Sequence, residues 1–346
     1  MGRLVHMSLS PTLPIWHRCL THDSIPADIE LFSEAGGDAS VSKSELARIR
    51  GFEVTKAGAK GLGVFALQDF YRGDLVIAEA PLFSIRRVRV EGHGGIQYRC
   101  GTIEAAIDAL TPEKRRGYES LDNARPREMC RCGIFSTNSF GVDEDDSVKI
   151  FLQCSRFNHS CTPNARYSWN PEVERFRIYA FRDIARGEEI FVTYLGRDTY
   201  WSTRAERQAR LQPRGFTCTC AVCTQPNTAA SDERRVRIKK IWESRSNLTP
   251  DNSDEYLLAI VHAIHLLKEE GCADGYDEFT DVAAWICAIH SDWASAKYWA
   301  TETYKAKVAE FGEDNYMAKE AKEMLEDPKT AKMAGMGPRK TFSVRL

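Results

Sequence analysis

Arg156-Phe157-Asn158-His159-Ser160-Cys161-Thr162-Pro163-Asn164 and, shortly after, Gly187-Glu188-Glu189-Ile190-Phe191-Val192-Thr193-Tyr194 are the stretches on which the reading of this 346-residue chain turns. The second reads as a turn leading into a short strand. The first sets a histidine and a thiol two residues apart. Taken alone, His159 and Cys161 invite a nucleophile–base pair. Residues two apart do not face each other on a helix, however, and no third orienting group is evident, so a thiol hydrolase is disfavoured.

Further short strands lie on either side, at Phe52-Glu53-Val54, Gly63-Val64-Phe65-Ala66, Asp74-Leu75-Val76-Ile77-Ala78, Tyr167 and Phe176-Arg177-Ile178-Tyr179. Gly61-Leu62-Gly63-Val64-Phe65-Ala66 matches a dinucleotide-binding fingerprint on paper, but that fingerprint needs a helix opening on the glycines. Here a strand follows, and Arg72-Gly73-Asp74 turns the chain. A glycine-rich turn that lets backbone approach some other ligand stays open. Between the strands, 102–121 takes helical spacing. Thr102 is the expected cap of a helix with Ile103, Ala106, Ile107 and Leu110 on one face, and Thr111-Pro112 opens a second. The pattern predicts a mostly β domain carrying a helical insert. Beyond about 230 the pattern is helical, with Ser253 expected to cap a helix whose stripe is Leu257, Ile260, Val261, Ile264 and Leu267. The last residues, 334–346, read as a tail.

Apolar residues make up 43% and charged residues 28%, so the chain can bury an ordinary core. Forty-seven Lys+Arg stand against 49 Asp+Glu, a net charge of −2 that argues against direct nucleic-acid binding. The basic run 234–240 reads as a solvated helix face with Ile238, Ile241 and Trp242 inward. No run approaches the roughly 18–20 apolar residues needed to cross a bilayer. With no secretion signal at its start, the expectation is an intracellular protein, cytoplasmic or nuclear. Of 11 cysteines, three cluster in Cys218-Thr219-Cys220-Ala221-Val222-Cys223. Three thiolates in one tight turn suit zinc, which favours four tetrahedral ligands, with the fourth coming from elsewhere; the bland alternative is three unrelated buried thiols.

Taken together, three segments resemble the SET-domain methyltransferases, especially the SMYD-type branch and its fungal relatives. They are Lys60-Gly61-Leu62-Gly63-Val64-Phe65-Ala66, the opening pair quoted above, and Gly215-Phe216-Thr217-Cys218-Thr219-Cys220-Ala221-Val222-Cys223. The resemblance covers about 50–225. It implies an α+β protein whose SET-domain β-fold has knot-like threading and a helical insert, a zinc-bound post-SET loop and an all-α C-terminal domain. In residues, the expectation is an N-terminal extension at 1–48, a SET domain at 49–200 with its insert at about 86–136, a post-SET zinc segment at 201–230, and a helical C-terminal domain at 231–346.

The resemblance also implies the chemistry. S-adenosylmethionine is the cofactor, approached by Lys60, Gly61, Leu62 and Gly63, with Asn138 at its amino-acid end, Asn158 and His159 lining it and Phe216 near the adenine. Tyr194 matches the catalytic tyrosine. Cys161 matches the cysteine that joins Cys218, Cys220 and Cys223 around zinc. Two departures stand out. The paired Cys and His of a MYND zinc finger are missing from 86–136, and Arg214 stands where relatives often have a tyrosine lining the substrate channel. A cation there would repel a lysine ammonium and attract a carboxylate. The leading expectation is protein-lysine N-methylation. The alternatives are methylation of a small anionic metabolite, for example at a carboxyl oxygen, and an inactive SET scaffold that recruits protein partners through its helical C-terminal half.

Overall fold

A computed structural model of the chain describes residues 29–31, 51–86, 88–89, 96–97, 100–125, 130–142, 147–272 and 276–346. Most of the expected extension at 1–48, and part of the insert at about 86–136, lie outside the described residues. The strands are β1 (Ile29–Leu31), β2 (Phe52–Lys56), β3 (Leu62–Ala66), β4 (Leu75–Glu79), β5 (Phe83–Arg86), β6 (Val88–Arg89), β7 (Ile96–Gln97), β8 (Phe140–Val142), β9 (Ser147–Ile150), β10 (Asn158–His159), β11 (Ala165–Asn170), β12 (Arg175–Ala180) and β13 (Glu189–Val192). The helices are α1 (Cys100–Asp108), α2 (Pro112–Glu119), α3 (Cys130–Asn138), α4 (Arg204–Leu211), α5 (Ala221–Thr224), α6 (Thr228–Glu243), α7 (Ser253–Glu269), α8 (Asp277–Ile289), α9 (Trp293–Phe311) and α10 (Tyr316–Glu326).

Two compact units result, each assembled from separate stretches. The first takes the described parts of Met1–Gly37, Ala80–Ser155 and Ala209–Thr217; the second takes those of Asp38–Glu79, Arg156–Gln208 and Cys218–Leu346. These units follow packing and cut across the segments expected from the order of motifs.

In the first unit, four antiparallel strands run in the order β1-β5-β9-β8. The helical insert lies against this sheet because its spacing puts Ile103, Ala106 and Ile107 on one fully buried face. They share a core with Phe83, Val148, Ile150, Tyr118 and Phe135. Thr111 caps α2 as expected, accepting the Lys114 N–H ahead of the first-turn Pro112. The expected cap at Thr102 is not one. Helix α1 begins two residues earlier, at Cys100, and Thr102 is buried inside it. Arg131 ties the three helices together, pairing with Glu104 and Asp108 of α1 at 3.0 and 2.8 Å and with Glu119 of α2 at 3.2 Å.

The second unit holds two sheets, β10-β13-β3-β2 and β11-β12-β4. In the former, β3 lies antiparallel to both β2 and β13, whereas β10 joins β13 in parallel. Helix α9 packs on β11 and β12, and one core contains Phe181 and Tyr200 together with Leu257, Ile260, Ile264 and Trp299. Paired charges tie the C-terminal helices and the turn between two of them to the strands and the turn after β13. Arg166 of β11 pairs with the buried Glu310 of α9, Arg177 of β12 makes a two-pronged contact with Asp314 at 2.6 and 2.8 Å, and Arg197 grips Asp277 of α8 at 2.8 and 2.9 Å. A buried charge is tolerated only with such partners.

Helix α7 buries Leu257, Ile260, Ile264 and Leu267 of the expected stripe, while Val261 is only partly buried against the same core. Asn252, not Ser253, takes the cap position. In the basic run, Ile238 points inward as expected, but so does Arg235, fully buried against Glu270 Oε2 at 2.8 Å and the Thr199 carbonyl. The largest difference from expectation is at 334–346, where the tail is docked. Helix α8 ends with carbonyls that have no partner within the helix. The N–H groups of Gly335, Gly337 and Lys340 donate to Ala288, Ile289 and His290 oxygens at 2.9, 3.0 and 3.2 Å. Gly337 is required there, since a Cβ would come within 2.8 Å of the Ile289 side chain. Phe342 then closes the strap, 3% exposed, its N–H donating to Asp292 Oδ2 at 2.7 Å.

Candidate active site and metal centre

The glycine turn, β3, β10 and β13 form one connected arrangement in the second unit. After the turn Gly58–Lys60, Gly61 takes φ +79°, a left-handed conformation that a side chain would resist. The turn is closed by the Ala57 N–H donating to the Gly61 oxygen at 2.8 Å. Two residues on, Gly63 is hemmed in: a Cβ there would lie 2.7 Å from Glu189 Oε1, 2.8 Å from Ala57 Cβ and 2.9 Å from Asn158 Nδ2. Those neighbours form a small network. Asn158 Nδ2 donates to the Leu62 oxygen at 2.9 Å and to Glu189 Oε1 at 2.8 Å. The Lys60 ammonium pairs with Glu189 Oε2 and sits 4.4 Å from the centre of the Phe191 ring. Glu189 therefore holds both the lysine and the asparagine at the edge of the turn.

Asn164 holds the strand that carries Glu189. It is fully buried, donates to Glu188 Oε1 at 3.0 Å and to the Glu189 oxygen at 2.9 Å, and accepts the Phe191 N–H at 2.6 Å. Burial alone would raise the Glu188 carboxyl, but hydrogen bonds from Arg182 and Asn164 hold it below the ordinary value. Past the strand, the Tyr194 hydroxyl donates to the Phe157 oxygen at 2.8 Å and its backbone N–H donates to His159 Nδ1 at 3.0 Å.

Cys161, Cys218, Cys220 and Cys223 converge so that their sulfurs all lie within 4.8 Å of one another. Cys161 Sγ is 3.9 Å from Cys218 Sγ and 3.6 Å from Cys223 Sγ. A tetrahedron with metal–sulfur bonds of ~2.3 Å has edges of about 3.8 Å, whereas a disulfide brings sulfurs to about 2.05 Å. The spacing fits four ligands around one metal ion, and the donor set suits zinc. The expected fourth cysteine, Cys161, is the one brought in. Hydrogen bonds from Cys161 and Cys218, with help from Arg207, hold the Cys223 thiol below its ordinary value.

Helix α4 braces this cluster. Gln208 clamps the Cys218 backbone, donating to its oxygen at 2.8 Å and accepting its N–H at 2.9 Å. Arg207 is fully buried, with one guanidinium nitrogen 3.6 Å from Cys223 Sγ and the other on the Ser202 oxygen. Sequence reasoning missed Arg207, Gln208 and Asn164, and gave Glu189 no role. Glu189 and Asn164 lie inside the quoted motifs, but Arg207 and Gln208 sit in a polar helical run with no signal of their own.

Three expected site residues belong to the first unit. Asn138 ends α3 and spends its amide hydrogens on the Asp122 and Ile134 oxygens, both at 2.7 Å. Arg214 ends a short turn closed by Gly215 at φ +81°, and Phe216, just beyond, is 37% exposed.

Comparison with known proteins gives this arrangement a context. Residues 61–195 match the SET domain family. Histone-lysine N-methyltransferase set5 of Schizosaccharomyces pombe is 29% identical over 288 residues, 82% of this chain and 86% of that protein. Histone-lysine N-methyltransferase SET5 of Scheffersomyces stipitis is 32% identical over 117 residues, 32% of this chain and 24% of that protein. Human N-lysine methyltransferase SMYD2 is 23% identical over 171 residues, 48% of this chain and 36% of that protein. The chain thus spans most of the first relative and about a third or less of the other two. Among the described residues, no helix is long and apolar enough to cross a membrane.

Proposed function

From the premise that this chain carries a SET domain and is a methyltransferase of that type, we propose that it transfers a methyl group from S-adenosylmethionine to the side-chain nitrogen of a protein lysine. The observation that carries the reading is the convergence, in one unit, of the Lys60–Gly63 turn, the Asn158–Glu189 network and Tyr194. The names of the fungal and human relatives support lysine as the acceptor.

The residues present fit the cofactor. Gly61, at φ +79°, carries no side chain to hinder a bound amino-acid moiety, and the lack of one at Gly63 lets Glu189 and Asn158 close on the turn. Asn158 uses both amide hydrogens on Leu62 and Glu189, which leaves its Oδ1 to accept from an ammonium. His159 has both ring nitrogens engaged by protein atoms, so it would offer the cofactor its backbone. Asn138 and Phe216 are the proposed contacts at the amino-acid end and the adenine, and Arg214 the proposed channel residue. The knot-like threading expected of the fold is in keeping with the parallel β10–β13 pairing and with Asn164 fastening Glu189 and Phe191.

When bound, S-adenosylmethionine supplies an electrophilic sulfonium methyl. The protein's task is then to align a nitrogen lone pair with the S–CH3 bond and to exclude water. Tyr194, its hydroxyl anchored on the Phe157 oxygen, would present that oxygen beside the methyl group as a weak C–H acceptor. A lysine acceptor must arrive neutral, and desolvation lowers its pKa in that direction. Zinc, bound by Cys161, Cys218, Cys220 and Cys223, would supply fold rather than chemistry, tying the segment after the SET domain to the Asn158–Cys161 loop.

Arg214 favours a second reading, an anionic small-molecule acceptor. The full chain, incubated with S-adenosylmethionine labelled on its methyl group, is offered histones, cell lysate protein, and small carboxylic acids and amines. Label on protein lysine is the expected result. Label confined to small products defeats the lysine acceptor, and no calorimetric binding of S-adenosylmethionine defeats both readings. A soluble nuclear or cytoplasmic location, in keeping with histone as substrate, is part of the same proposal.

A further inference from the structure

The two ring nitrogens of His159 face two different parts of the second unit. Nδ1 lies 3.0 Å from the backbone nitrogen of Tyr194. A backbone N–H can only donate, so Nδ1 accepts and carries no proton. The proton of the neutral imidazole is therefore on Nε2, which lies 3.3 Å from Cys161 Sγ. The ring, 6% exposed, points an N–H at one of the four clustered sulfurs while its other face accepts from the residue proposed to attend the methyl group. The Tyr194 ring packs 5.3 Å from the imidazole, and its hydroxyl is fixed on Phe157. Tyr194 is thus held at both its backbone and its hydroxyl, and the backbone hold passes through His159 to the cluster.

A metal ion held by Cys161, Cys218, Cys220 and Cys223 would fix this arrangement, because coordinated cysteines are deprotonated and their sulfurs can only accept. Four thiolates around a divalent ion carry a net negative charge, and two N–H groups are aimed at it, from His159 at Cys161 and from the buried Arg207 at Cys223. Donors of this kind orient metal ligands and hold them in place.

We propose that His159 is a positioning residue that couples the four-cysteine metal centre to Tyr194. With metal bound, Cys161 holds the imidazole through Nε2–H, and the imidazole in turn holds the Tyr194 amide. Without it, Cys161 is released, the ring loses its anchor and Tyr194 loses its acceptor. Only the name of Tyr194 as the reactive tyrosine rests on the methyl-transfer reading; the coupling itself does not.

The test uses the full chain, zinc-loaded and then stripped with a chelator, with hydrogen exchange read at the Tyr194 amide. In the wild type, stripping should speed that exchange about tenfold, the loss of one hydrogen bond, while the Leu257–Leu267 segment of α7 stays protected. His159→Asn keeps an acceptor near the Nδ1 position but is too short to reach the sulfur. In this variant Tyr194 should stay protected with or without zinc, and zinc should pass to a chromogenic chelator about tenfold faster than from the wild type. His159→Ala should exchange rapidly at Tyr194 even when zinc-loaded. If His159→Ala fails to fold, His159→Asn carries the test. The proposal is overturned if His159→Asn keeps the wild-type response of Tyr194 to zinc, or releases zinc at the wild-type rate. Neither readout needs methyl transfer. A protein that shows the coupling but binds no S-adenosylmethionine refutes the functional reading alone, and one that methylates lysine without the coupling refutes this proposal alone.

Discussion

Replacing Gly63 by alanine probes the cofactor turn with the smallest possible change. The new methyl group would meet Glu189 Oε1 at 2.7 Å, Ala57 Cβ at 2.8 Å and Asn158 Nδ2 at 2.9 Å, all closer than real contacts allow. The Ala57 contact is to a short, rigid side chain in the turn itself, so that part cannot be relieved by rotation. The other two are relieved if Glu189 swings away, which breaks its bonds to Asn158 and Lys60. Overpacking of this kind costs about 1–3 kcal/mol. In the free protein, letting the network open avoids much of that cost. Binding S-adenosylmethionine needs Asn158 and Lys60 back in place, so the strain reappears in the affinity. At a factor of ten per 1.4 kcal/mol, the dissociation constant should rise roughly 5- to 150-fold. Isothermal titration of the purified Gly63→Ala chain with S-adenosylmethionine measures this directly, with circular dichroism confirming that the fold is kept. An affinity within twofold of the wild type in a folded variant would refute the reasoning, because the cofactor would then not depend on this network.

Tyr194→Phe removes the hydroxyl bonded to the Phe157 oxygen. Turnover with labelled methyl donor should fall at least tenfold while the cofactor dissociation constant changes by less than about threefold, and equal turnover would remove the hydroxyl from the mechanism. Purified protein should contain about one zinc per chain by elemental analysis, and Cys218→Ser should lower both that content and the apparent melting temperature. Unchanged zinc in the serine variant would place the metal elsewhere. Phe342→Ala should destabilise the second unit by about 3–5 kcal/mol, seen as an earlier denaturation midpoint, if the C-terminal strap is structural. A midpoint equal to the wild type would return that segment to the status of a tail.

Local chemistry made much of this protein legible from its residues. The glycines at 61 and 63, the Asn158–Cys161 loop, the 187–194 strand and the cysteine triplet are contiguous patterns. Turn geometry, helical faces and metal-ligand spacing are short-range matters, so Ile103, Ile107, Leu257 and Ile264 came out on the buried faces expected of them. Helix starts were less legible. A cap at Thr102 or Ser253 is one good option among several, and in the fold α1 already runs from Cys100 while Asn252 takes the cap position of α7.

What only the tertiary structure decided were the partnerships between distant residues. No pattern in Arg204–Leu211 says that Arg207 is buried beside a thiol while Gln208 clamps the neighbouring cysteine. Nothing local to 334–346 shows that the carbonyls of Ala288, Ile289 and His290, at the end of α8, will accept from the strap. His159 is plain in the sequence as a residue of interest, but its tautomer, and with it the link from Cys161 to Tyr194, exists only once a backbone N–H from 35 positions away meets Nδ1. Periodicity and spacing report a residue's own segment. Hydrogen bonds and buried charges are satisfied by whatever the fold brings near, and that proximity is settled by long-range packing.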